Sequence, residues 1–70
     1  MWTVRLLTKR GVPLAWFTCH SEDGARSLFI DMKMTGAFVR PAHCLILVDP
    51  SNACIESHTI AAFIGEGVAA

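Results

Sequence analysis

Cys19-His20, His43-Cys44, Cys54 and His58 are the residues of this 70-residue chain best suited by type to hold a metal. Zinc takes thiolate sulfur and imidazole nitrogen in a tetrahedron, and the step from Cys54 to His58 is close to ligand-pair spacing. Their surroundings oppose it. Each adjacent pair falls on an expected strand, so its two members point to opposite faces, and no CxxC knuckle supplies a first pair of ligands. Cys44 and Cys54 suit core positions, and His20, His43 and His58 suit strand ends. No metal and no other cofactor is expected.

Nucleophilic chemistry at Cys19 would need a lowered thiol pKa and an adjacent base. Cys19 precedes an expected helix start, where the dipole favours a thiolate, and His20 follows directly. No glycine-rich oxyanion loop accompanies them, so a buried strand cysteine is the simpler reading. The carboxylates form no catalytic pair. Glu22 and Asp23 suit a helix start, Asp49 a turn and Asp31 an exposed helix side, while Glu56 and Glu66 are isolated. A phosphate loop of the GxxxxGK type is absent. No catalytic residue is assigned, and the chain reads as a non-enzyme.

The basic residues offer a different chemistry. Arg5, Lys9 and Arg10 gather on the first expected hairpin, and Trp2 and Trp16 are aromatic enough to stack on bases. A nucleic-acid-binding module built on these three cations is therefore the alternative reading. It is disfavoured because six Lys/Arg balance six Asp/Glu, which leaves no global basic field.

The elements that position these residues follow from periodicity. Trp2 to Lys9 alternates as a strand, with Trp2, Val4 and Leu6 on one face and Thr3, Arg5, Leu7 and Lys9 on the other. Arg10-Gly11 suits a tight turn. Leu14 to Cys19 returns, with Pro13 at a strand start and Trp16 and Phe17 on opposite faces. Ser21 is an N-cap with Glu22 and Asp23 in the first turn, and Ala25, Leu28, Phe29 and Met32 form one apolar stripe. The spacing predicts a helix over 22–35, ended by Gly36 as a left-handed cap. Ile30 and Met34 lie off the stripe and either widen the buried face or touch another subunit.

Phe38 to Ala42 is an irregular link into a strand from His43 to Val48. Asp49-Pro50-Ser51-Asn52 is a turn. Ala53 to Ser57 and Thr59 to Ile64 are strand-like, as one strand broken near His58 or as two, and 65–70 is a frayed tail. The expected fold is one α+β domain, ββαββ, with one helix on a mainly antiparallel sheet of three or four strands.

Composition then points to assembly. Hydrophobic residues make up 53% of the chain, and the five glycines raise the apolar class to about three-fifths, against roughly 45–50% in average soluble domains. One helix covers one face of a sheet, yet Cys44-Leu45-Ile46-Leu47-Val48 is apolar on both. Fully burying a Leu or Ile is worth about 1.5–3 kcal/mol, so several left wet would rival a stability of about 5–15 kcal/mol. A second copy is expected to cover them, by face-to-face packing of two sheets or by edge-to-edge continuation with helices exchanged. The expected anchors are Trp2, Trp16, Phe38 and Phe63, joined by Ile30, Met34, Leu45 and Leu47.

No apolar run is long enough to span a bilayer, and the first five residues lack the basic start of a secretory signal. Three cysteines, an odd number, suit reduced thiols in a cytoplasmic setting. The expected function is a cytoplasmic, homodimeric or larger self-associating domain that binds protein as an adaptor or regulator. Its partners are itself and another protein, with no membrane partner.

Overall fold

The computed structural model describes residues 1–61, 63 and 64. Its elements are β1 (Trp2–Thr8), β2 (Pro13–Cys19), α1 (Glu22–Thr35), β3 (Ala42–Val48) and β4 (Cys54–Thr59). The four strands form one sheet in the order β2-β1-β3-β4, with every neighbouring pair antiparallel. The α+β, ββαββ architecture expected from periodicity is therefore the observed one.

Local chemistry sets each boundary. Gly11, at φ +84°, supplies the left-handed residue of the β1–β2 turn. The Thr8 amide donates to the Val12 carbonyl and the Gly11 amide to the Thr8 carbonyl, both at 2.9 Å. At the start of α1 the Ser21 hydroxyl oxygen accepts from the Gly24 amide at 3.1 Å, with Glu22 and Asp23 in the first turn and Lys33 in the last. These charges complement the helix dipole at both ends.

The helix ends differently from expectation. Gly36 has φ −65° and ψ 137°, an extended conformation open to any residue. Space explains the glycine instead. A Cβ at this position would collide with the Met32 carbonyl oxygen and lie 2.8 Å from the Phe38 ring.

One core lies between α1 and the sheet. Val4, Ala25, Phe29, Leu45 and Leu47 are its buried members, with Trp2, Leu6, Cys19, Leu28 and Met32 packed against it. A smaller cluster of Phe38, Ala42 and Ile60, with Leu6, Met32 and Phe63 against it, closes the end of the helix. The Arg40 guanidinium stands 4.5 Å from the centre of the Phe63 ring.

The C-terminal region departs from the expectation of one strand broken near His58 or two short pieces. A single strand runs through His58, from Cys54 to Thr59. Beyond it, the Ile60 amide donates to the His43 carbonyl at 2.8 Å and the Ile64 amide to the Phe38 carbonyl at 2.7 Å. Ile60 and Phe63 serve the second cluster, so their apolar character reflects packing, not strand alternation. The expected tail, 65–70, lies outside the described residues.

Candidate interaction surface

Directly opposed residues of antiparallel strands share a face, so the register sorts the sheet into two sides. Leu6 faces Ala15, Val4 faces Phe17 and Trp2 faces Cys19, which places these residues on the helix side with Leu45 and Leu47. Arg5 faces both Trp16 and Ile46, and Ile46 faces Ser57, giving one row across the open side: Trp16, Arg5, Ile46, Ser57. Leu7 and Cys44 form part of the next row. Burial pushes the Cys44 thiol above its ordinary pKa, with a smaller push from the charge of Cys54.

Exposure is uneven on this open side. Leu7, Cys44 and Ile46, on the two central strands, are half-buried by their neighbours. The large exposed apolar surface gathers on β2, where Trp16 is 63% and Leu14 42% exposed. Phe17 is 41% exposed on the other side of the same strand, beyond the reach of full cover by α1. Val12, in the turn just before β2, is exposed too.

The residues expected at an interface divide accordingly. Leu45 and Leu47 are fully buried beneath the helix and have no surface to offer another molecule, because α1 lies directly over the central strands. Phe38 is buried in the second cluster, and Phe63 packs against it. Trp2 is half-buried against the main core. Ile30 and Met34 project outward from the helix, in a different layer from Trp16. Of the four aromatic anchors, Trp16 alone is exposed.

The three cations do not converge. Arg5 Nη2 donates to Asn52 Oδ1 at 3.1 Å, toward the end of the sheet where Thr3 faces Val48. Lys9 and Arg10 occupy the turn at the opposite end, beyond Thr8. The Arg5 contact depends on the β3–β4 loop. Asp49 Oδ1 accepts from the Ser51 amide, the Ser51 hydroxyl and the Ala53 amide at 3.0, 2.7 and 2.9 Å, and Asn52 adopts φ 71°. Those hydrogen bonds, the Ser51 hydroxyl first, hold the Asp49 carboxyl below the ordinary carboxylate range.

The cysteines and histidines are likewise dispersed. Cys19 faces Trp2 on the helix side, while Cys44 is on the open side. Cys54 is exposed at the start of the edge strand β4 and is not a core residue, and His58 lies one residue from the end of β4, opposite Leu45. Among the described residues no three His, Cys, Asp or Glu side chains come together as a metal site. No described helix is long and apolar enough to cross a membrane.

Phe17 and Leu14 were not among the expected surface residues. The signal was the uncharged run from Gly11 to Cys19, but its meaning depends on β2 being an edge strand, which local alternation does not reveal. Comparison with protein-family models, with curated proteins and with solved structures finds no match to this chain.

Proposed function

We propose that this chain is a small non-enzymatic protein-interaction domain that acts by self-association, with Trp16 at the centre of its contact surface. One observation carries the reading: of the exposed large apolar residues on the described strands, Leu14, Trp16 and Phe17 lie on β2 and Ile55 alone on β4, with the Trp16 indole 63% exposed at the strand's midpoint. Buried aromatics dominate interface energetics, and an indole left in water has its largest gain still available. Equal numbers of basic and acidic residues let two copies approach without long-range repulsion. Free Cys19, Cys44 and Cys54 suit a reducing, cytoplasmic setting.

Sedimentation equilibrium across a micromolar range tests the reading. The expected mass is a multiple of 7.6 kDa that falls on dilution. A constant 7.6 kDa species would overturn it.

A further inference from the structure

We infer that the contact between copies is made by the edge of β2, which pairs antiparallel with β2 of a second copy about a two-fold axis through Trp16. This rests on the self-association reading and names its interface. Trp16 and Phe17 expose apolar surface on opposite faces of one strand. A molecule packed flat on the open side would cover Trp16 and leave Phe17 wet. An occupant at the strand edge meets both.

The edge itself specifies a strand as occupant. β2 is terminal in the order β2-β1-β3-β4, so half of its backbone N–H and C=O groups face away from β1. Protected edges carry lysine, inward charges, an interior proline or a bulge, and the one bulge of β2 is confined to its start at Leu14. From Gly11 to Cys19 there is no charged residue, and Pro13 stands at the first position of the strand, where it interrupts nothing. The other edge, β4, is shorter and carries Glu56, which is bound to Arg26. Pairing β4 with itself about Glu56 would bring two such carboxylates together, whereas no register of β2 with itself opposes charges.

Strand geometry fixes the register. Opposed residues in an antiparallel pair share a face and faces alternate along the strand, so a two-fold pairing must centre on a residue and not between two. Leu14 is bulged out of the register with β1, so the regular part of β2 is Ala15–Cys19; within it Trp16 is the most exposed apolar residue, and centring there covers both indoles at once. Trp16 then meets Trp16 of the second copy on the open side, while Ala15 meets Phe17 on the helix side. The result is a continuous eight-stranded sheet with both helices on one face. Being isologous, it closes at two copies.

The test uses Trp16→Lys and Trp16→Glu. Each places like charges directly opposite one another, so each is expected to sediment as a monomer at concentrations where the wild type is a dimer. An equimolar mixture is expected to regain dimer mass, which also shows that both variants fold. Ser57→Glu, on the open side but on β4, is expected to leave the dimer intact.

A wild-type protein that stays monomeric overturns both the pairing and the self-association reading. A dimer that survives Trp16→Lys, or is lost in Ser57→Glu, overturns the pairing alone. Mass that grows without limit means β2 joins β4 of the next copy and overturns the closed pair. Hydrogen exchange on the wild type needs no variant: in the dimer, the amides of residues 14–19 are all expected to be protected. Fast exchange at alternate positions in a dimeric sample overturns the pairing.

Discussion

Arg26 on the helix and Glu56 on strand β4 are joined at 3.0 Å, and the same guanidinium holds Glu22 at 2.8 Å one helical turn away. Glu56 stands opposite Leu47, so the pair straps the helix over the outer half of the core. The hydrogen bond to Glu22, before any other influence, raises the Arg26 pKa above its ordinary value. Both partners of the helix–strand bridge are well exposed, so its contribution is small and subject to salt screening. Glu56→Gln is expected to lower the melting temperature slightly in dilute buffer. The difference should shrink in molar salt, and a salt-independent difference would contradict this account.

The main core carries the stability. Phe29, Leu45, Leu47 and Val4 are its largest fully buried side chains. Phe29→Ala is expected to cost about 3–5 kcal/mol and Leu47→Ala about 2–5 kcal/mol. Against a total of about 5–15 kcal/mol, either change is expected to lower the urea midpoint markedly. Met34→Ala is expected to stay within about 0.5 kcal/mol of wild type, because Met34 is 73% exposed.

Gly36→Ala separates two explanations of one glycine. Its φ of −65° would accept alanine without strain, but the added methyl has nowhere to go between the Met32 carbonyl and the Phe38 ring. The expected loss is about 1–3 kcal/mol, typical of forcing an extra carbon into a packed site. A neutral or stabilising result in thermal melts would show that the ring moves aside freely.

Asp49 gives the fold an acid-sensitive loop. Its folded-state pKa is depressed by the Ser51 hydroxyl and then by the Ala53 amide. The ionised carboxylate therefore adds stability above the ordinary Asp pKa of about 4, and this is lost as pH falls through the lower folded value. Asp49→Asn is expected to melt below wild type at neutral pH, with the gap closing in acid. A gap that widens in acid would contradict the assignment.

The helix Glu22–Thr35, capped by Ser21, and the N-terminal hairpin are legible because their signals are local: a cap, an apolar stripe, a glycine turn. Ile60 and Phe63 are not, since apolar residues serving a side cluster look like strand residues until Phe38 and Ala42 are placed beside them. The burial of Leu45 and Leu47 depends on where α1 sits. The exposure of Phe17 depends on strand order, a property of distant pairings. Gly36 carries the sequence signal of a left-handed cap, yet its backbone is extended and its crowding comes from Phe38, two residues ahead.

The placement of β1 between β2 and β3 has a kinetic consequence. β1 can zip with β2 as soon as both exist, but its other side waits for β3, which the chain reaches only after the whole helix. Closing so wide a loop is slow relative to forming a hairpin. On the ribosome the early hairpin therefore emerges with both flanks unpaired until β3 follows.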